Sequence, residues 1–98
     1  MKITFSIVLN IKTTTGFEPF GRFMLGNDRD FAYRLFGQLQ GSEILSEKDI
    51  LHIDLMETTD GLPLNIRVLN CTLHELTSNC RTITKEVFKH INLEDIQL

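Results

Sequence analysis

Apolar and polar residues alternate along the first part of the chain. Large apolar residues occupy every second position from Ile3 to Ile11, with mostly polar residues between them. A period of two is typical of a β-strand with one covered face and one face open to water. After a turn over residues 13–16, the aromatic-rich segment 17–25 is interrupted by Pro19 and Gly21. It predicts an irregular second strand that returns antiparallel to the first and contains a bulge.

The pattern then changes to a helical period. We predict that Asn27 caps the first helix, with Asp28 and Asp30 complementing the helix dipole in its first turn. Gly41 provides a natural C-terminal stop. Gly37 lies inside this helix at a cost of about 1 kcal/mol relative to Ala, so either the helix is marginal there or another backbone passes close to it. The predicted buried stripe consists of Phe31, Ala32, Leu35, Phe36 and Leu39.

After a polar connector over residues 41–49, two alternating segments predict a β-hairpin. They span residues 51–56 and 64–69 and are separated by a turn centred on Asp60 and Gly61. The dipeptide Asp-Gly accepts the positive φ angles that a type I′ turn requires.

A two-residue turn fixes which residues of the hairpin lie opposite each other. With a regular ladder, Leu55 faces Ile66 on the core side of the sheet. On the polar side, Asp54 then faces Arg67, and such an opposite-charge pair contributes about 0.2–1 kcal/mol.

The last pattern predicts a long second helix. Thr72 and Glu75 have the spacing of a capping box. Apolar residues then recur at steps of three and four up to Ile91. Asn92 is the predicted end of the helix, and residues 93–98 form either a tail or a short closing strand.

These elements predict a single α+β domain over residues 1–98. The order is β-β-α-β-β-α, with both helices packed on one face of an antiparallel four-stranded sheet. The alternative is a ferredoxin-like β-α-β-β-α-β order, in which residues 93–98 form the fourth strand and residues 17–25 a loop. A domain of 98 residues has a thin core, because it buries only about 60–65% of the surface that its unfolded chain exposes.

Composition excludes several classes of protein. Hydrophobic residues make up 42% and charged residues 23% of the chain, which are ordinary globular proportions. The formal net charge of -3 argues against a nucleic-acid partner. No apolar run approaches the length of a membrane span, and the N-terminal pattern is that of a strand and not of a signal peptide, so we expect a cytoplasmic protein.

Cys71 and His74 are the pair that most resembles a catalytic site. We place both Cys71 and Cys80 on the second helix, with Cys71 at its start, where the helix dipole lowers a thiol pKa. No third catalytic group or oxyanion loop accompanies them, so the sequence favours a non-catalytic protein. We predict no metal site and no cofactor, because Cys80 lies on the buried stripe while Cys71 and His74 point away from it.

The polar face of the sheet is the second candidate site. It suits a small anionic ligand or a second subunit, and an ordinary wet sheet face is the alternative interpretation. The candidate ligand or interface residues are Asn10, Lys12, His52, Asp54, Met56, Arg67 and Leu69.

The sequence therefore predicts a small non-catalytic binding or protein-interaction domain. Self-association as a homodimer would cover a surface and add stability that a thin core lacks. The contact would use the open sheet face or an unpaired edge strand. The alternative is a small enzyme or ligand-binding domain that uses the polar sheet face, or Cys71 with His74.

Overall fold

The computed structural model describes residues 1–95, with side chains described as far as Ile91. One antiparallel sheet has the strand order β2-β1-β3-β4, and the chain follows the predicted order β-β-α-β-β-α. Segment 17–25 therefore belongs to a strand, and the ferredoxin-like alternative is wrong. The elements are β1 (Ile3–Thr13), β2 (Gly16–Gly26), α1 (Arg29–Gly37), β3 (Leu51–Thr59), β4 (Leu62–Cys71) and α2 (Leu73–Asp95).

The hydrophobic core lies between one face of the sheet and the two helices. Alternate residues of the two central strands, β1 and β3, supply most of the sheet side of this core, as their period of two predicts. Burial of these side chains is the main stabilising contribution to the fold. The fully or nearly fully buried core side chains include Phe5, Ile7, Leu9, Phe31, Leu35, Phe36, Ile53, Leu55 and Ile83.

Helix α1 is shorter than its sequence pattern predicts. Its N-cap is Asp28 and not Asn27, because an Asp28 carboxylate oxygen accepts a hydrogen bond from the backbone N–H of Phe31 at 3.1 Å. The helix ends at Gly37 instead of continuing toward Gly41. A Cβ atom at Gly37 would meet nothing within 4 Å, so no backbone passes close to this glycine.

A buried amide fixes the start of the connector that follows α1. Asn79 of α2 is 1% exposed, accepts a hydrogen bond from the backbone N–H of Gln40 at 2.8 Å and donates one to its carbonyl at 2.7 Å. Two residues later, Ser42 exchanges two backbone hydrogen bonds with Asn70 of β4. The connector is therefore attached both to α2 and to the end of β4.

The β3–β4 hairpin has the predicted turn but only part of the predicted register. Asp60 and Gly61 both have positive φ, and the pairing is as predicted from the turn to Met56 opposite Asn65. A bulge then inserts Ile66 as an extra residue in β4.

The bulge reverses the side of the sheet on which the rest of β4 presents its side chains. Arg67 pairs with Leu55, and Asp54 lies opposite Val68. The predicted pairs of Asp54 with Arg67 and of Leu55 with Ile66 are therefore wrong, because they assume a ladder without an extra residue.

Helix α2 begins with the predicted capping box. The Thr72 hydroxyl accepts a hydrogen bond from the Glu75 backbone N–H at 3.1 Å, and the Glu75 carboxylate accepts one from the Thr72 N–H at 2.9 Å. Cys71 is the last residue of β4, so the prediction that both cysteines lie on this helix is wrong.

The C-terminal part of α2 lies against the start of α1. The His90 ring stacks on Phe31 with 3.9 Å between centroids, and its Nε2 is 3.8 Å from an Asp28 carboxylate oxygen. The helix continues to Asp95, beyond the predicted end at Asn92. Residues 93–95 are thus helical, and the rest of the predicted tail or strand, residues 96–98, lies outside the described residues.

Candidate functional site

Both helices cover the same side of the sheet, so no other element of residues 1–95 covers its second side. We call this side the open face. Its residues lie in rows across neighbouring strands, and in the central row Arg22, Val8 and Asp54 are direct neighbours. The open face is formed by Phe17, Pro19, Arg22 and Met24 of β2, Ser6, Val8, Asn10 and Lys12 of β1, His52, Asp54 and Met56 of β3, and Asn65 and Val68 of β4.

The middle of the open face is concave. Ser6 is 5% and Val8 7% exposed, values typical of a core, although neither helix lies over them. Their neighbours surround a depression of about 260 Å³ that is bounded by Arg22 on one side and by Asp54 on the other. An uncovered antiparallel sheet face normally presents solvated polar side chains, so the low exposure of Ser6 and Val8 is unusual.

Asp54 is the half-buried acid of the depression. One of its carboxylate oxygens accepts a hydrogen bond from the Asn65 side-chain amide at 2.8 Å. The other oxygen is inaccessible to water and makes no hydrogen bond of normal geometry with a described residue, although the Asn10 side chain lies near enough to offset part of the rise in the pKa of the carboxyl that burial causes. Burial raises the pKa of this carboxyl, and the nearby His52 ring partly offsets that rise.

His52 is held at one end of the open face by two neighbours. Its ring stacks on Phe17 with 4.0 Å between centroids, and its Nε2 lies 2.9 Å from a carboxylate oxygen of Asp49. Asp49 also accepts a hydrogen bond from the Ser46 backbone N–H at 2.8 Å. The hydrogen bond with His52, followed by that from Ser46, lowers the pKa of the Asp49 carboxyl.

The structure brings five of the seven predicted site residues together on the open face. These are Asn10, Lys12, His52, Asp54 and Met56. Lys12 lies at the end of β1, and its ammonium group donates a hydrogen bond to the carbonyl of Glu47. Their predicted roles as ligand or interface residues stay predictions.

Arg67 and Leu69 do not lie on the open face, contrary to prediction. Leu69 is 4% exposed and belongs to the core, and Arg67 lies over the Phe36 ring at 5.1 Å and binds Glu43. The bulge at Ile66 is the cause, because one extra residue moves the following side chains to the other face.

Sequence reasoning also missed several members of the site, among them Arg22, Asp49 and Phe17. Arg22 was missed because its position depends on two irregularities in the β1–β2 pairing. Asp49, the carboxylate partner of His52, lies in the connector, where no periodic pattern indicates contacts. Two features of the sequence could have indicated these contacts. Asp49 lies three residues before His52, and Phe17 offers an aromatic ring on which a histidine can stack.

Cys71 does not have the environment of an activated nucleophile. Its thiol is buried and donates a hydrogen bond to the Gln40 carbonyl at 3.3 Å. Burial, followed by the charge of Glu75, raises its pKa to about 11, opposite to the predicted lowering by the helix dipole. His74 is exposed in the first turn of α2 and contributes no contact to this thiol within the described part of the chain.

Comparison of the chain with protein-family models, with curated proteins and with solved structures finds no match in any of the three. Among the described residues, no group of three or more His, Cys, Asp or Glu side chains is arranged to hold a metal ion. No helix within residues 1–95 has both the length and the apolar character needed to cross a membrane. The cytoplasmic location stays a prediction, and function is inferred below from the residues of the chain itself.

Proposed function

We propose that this chain is a small non-catalytic interaction domain that associates with a second copy of itself through the open face. The observation that carries the proposal is the concave centre of that face, where Ser6 and Val8 are buried although neither helix covers them. Beside them, Met24 is 59% exposed and presents a flexible apolar side chain. A concave surface that combines polar and apolar side chains is typical of interaction sites.

The sheet edges are less suited to association than the open face. Pro19 and the neighbouring bulge interrupt β2, which is one edge strand. Pro63 and the bulge at Ile66 interrupt β4, and Ser42 already occupies the end of its free edge. Prolines, bulges and short covering segments are features that block strand addition at an edge. Between the two modes that the sequence predicts, these features favour the face.

A small-ligand site is the alternative use of the same depression. Its volume of about 260 Å³ is below the roughly 300–1,000 Å³ that is usual for ligand pockets. The buried thiol of Cys71 and the engaged ring of His52 likewise offer little support for catalysis. A surface contact therefore fits the geometry better than a binding pocket or an active site.

Sedimentation equilibrium over a concentration series tests the proposal. Met24→Glu adds a charge to the open face at an exposed position, so the fold should tolerate it. We expect this variant to raise the dimer dissociation constant by about tenfold or more, because a desolvated unpaired charge costs more than about 1.4 kcal/mol.

Phe88→Glu is the matched control. Phe88 is 65% exposed on α2, on the helical side of the sheet, and its substitution should leave the dissociation constant unchanged. A wild-type chain that stays monomeric over the whole series would overturn the proposal. Equal effects of the two variants would assign the contact to another surface.

A further inference from the structure

We propose that two copies meet with their open faces about a two-fold axis parallel to β1, so that Arg22 of each copy forms an ion pair with Asp54 of the partner subunit. This inference rests on the proposed self-association and specifies its geometry. It follows from which residues share a row of the sheet and from the charges of Arg22 and Asp54, which form no ion pair with a described residue.

The central row explains why an axis along β1 is favourable. Arg22, Val8 and Asp54 occupy neighbouring strands in the order β2, β1, β3. Neighbouring strands are about 4.8 Å apart, so the cation and the acid lie at equal distances on either side of β1. Rotation by half a turn about an axis over β1 exchanges the two positions. It places each Arg22 over the partner's Asp54 and sets the two Val8 side chains opposite each other across the two facing depressions.

The row beside the central row also matches the same row of the partner subunit under this rotation. In that row Met24, Ser6 and Met56 are direct neighbours on the same three strands. The rotation therefore places Met24 over the partner's Met56 and sets the two Ser6 hydroxyls opposite each other. Apolar side chains then face apolar side chains, and hydroxyls that can donate and accept hydrogen bonds face each other across the depressions.

Neither charge of the central row forms an ion pair with a described residue, although the His52 ring lies near enough to Asp54 to offset part of the rise in the pKa of its carboxyl that burial causes. Arg22 is exposed and makes no hydrogen bond or ion pair with any residue between 1 and 91. Asp54 is bound by the neutral amide of Asn65, and no cation of the described chain forms an ion pair with it. Buried charges are tolerated in an interface when they are paired. In the proposed dimer, Arg22 of each copy provides the counter-charge for the partner's Asp54.

A different axis would not satisfy these charges. An axis between β1 and β3 would overlay all four strands, but it would place Arg22 over the partner's Val68, since Val68 completes the central row on β4. Both charged groups would then be desolvated without a counter-charge, which is costly. The charge pattern therefore selects the axis over β1.

The proposed contact covers a small area, so the association should be weak. Three overlapping strands about 4.8 Å apart and about 30 Å long cover roughly 430 Å² of sheet on each copy. Over both copies this is about 860 Å², below the roughly 1,200–2,000 Å² of stable specific interfaces, so the dimer should dissociate on dilution. Packed sheets cross at about 30°, which tilts the two-fold axis by about 15° from β1 and displaces groups one strand away by only about 2–3 Å, within reach of an arginine side chain.

A mixing experiment with two charge-reversal variants tests this geometry. Arg22→Glu should raise the homodimer dissociation constant by about 30-fold or more, because the introduced carboxylate would face the partner's Asp54, and Asp54→Arg should do the same by opposing two cations. Mixing the two variants should restore association, since the heterodimer contains one Glu–Arg pair and one Arg–Asp pair. Native mass spectrometry with one variant labelled with nitrogen-15 distinguishes heterodimers from homodimers.

Controls keep the outcomes separate. Arg34→Glu reverses an exposed charge on α1 and should leave the dimer intact. If circular dichroism shows that Asp54→Arg does not fold, the pair Met24→Glu and Met56→Lys tests the same axis, because position 24 faces the partner's position 56. Preferential heterodimers would support the axis.

The failure of the geometry differs from the failure of the proposed function. A wild-type dimer that Met24→Glu disrupts, but whose reversal variants do not associate when mixed, would overturn the axis and keep the open face as the contact. A wild-type monomer at all concentrations would overturn both.

Discussion

At the scale of single residues, Gly41 has less room for a side chain than any other glycine of the chain. Its φ is +151°, and a Cβ atom would lie 2.9 Å from the carbonyl oxygen of Asn70. We expect Gly41→Ala to lower the free energy of unfolding by about 1–3 kcal/mol, through strain and overpacking. Gly37→Ala is the control, because open space surrounds it, and it should be neutral or stabilise by up to about 1 kcal/mol. Urea unfolding measures both, and equal effects would contradict the expectation.

Asn79 is the second residue whose chemistry the fold requires. It both donates to and accepts from the backbone of Gln40, which a carboxylate cannot do. We expect Asn79→Asp to cost about 3 kcal/mol of unfolding free energy at neutral pH, because a buried charge would face the Gln40 carbonyl. Protonation restores a donor, so the cost should decrease in acid. Gln40→Glu, the same change on an exposed side chain, is the control, and an equal cost in both variants would refute this role of Asn79.

At the scale of elements, the capping box is a local interaction that was predicted from sequence alone. Thr72 and Glu75 satisfy each other's backbone N–H groups at the start of α2. Thr72→Ala should lower the free energy of unfolding by about 1 kcal/mol, whereas Thr72→Ser, which keeps the hydroxyl, should have little effect. Thermal and urea unfolding followed by circular dichroism measure both changes. Equal losses in the two variants would exclude a capping role for the hydroxyl.

Elements that depend on local pattern were predictable, and pairings that depend on irregularities were not. Neighbouring residues alone determine the alternation of β1, the Asp-Gly turn and the cap of α2. The structure confirms all three. The bulge at Ile66 has no such signal, because a ladder with one extra residue buries an equally apolar set of side chains. Its consequence was large, since Arg67 and Leu69 were assigned to the wrong face.

At the scale of the whole molecule, α2 contacts residues at both ends of α1. Both helices lie on the same side of the sheet, so no other element of residues 1–95 covers the opposite side. Asn79 contacts the segment after α1, and His90 contacts its first turn. The one-sided layering was predictable from the period of the strands. The composition of the open face was predictable only in part, because the position of Arg22 beside Val8 requires the actual β1–β2 register.

Two acids give the folded molecule opposite responses to pH. The pKa of Asp49 is lowered, so its ionised form stabilises the fold above the unfolded pKa of about 3.9, and this contribution is lost as pH falls through the folded pKa. The pKa of Asp54 is raised by burial, so its ionised form destabilises the fold, and stability is recovered as pH falls through that raised pKa toward about 3.9.

Substitutions of these acids should therefore have opposite signs at neutral pH. Asp49→Asn should be less stable than the parent, and the difference should disappear once acid protonates Asp49. Asp54→Asn should be more stable than the parent, with the difference disappearing at higher pH than for Asp49, because the pKa of Asp54 is raised and that of Asp49 is lowered. Urea unfolding between about pH 7 and about pH 3 in the Met24→Glu background measures this without a contribution from self-association. Changes of the same sign would show that the desolvation of Asp54 is offset inside the monomer, in which case its carboxylate has no need of the partner's Arg22.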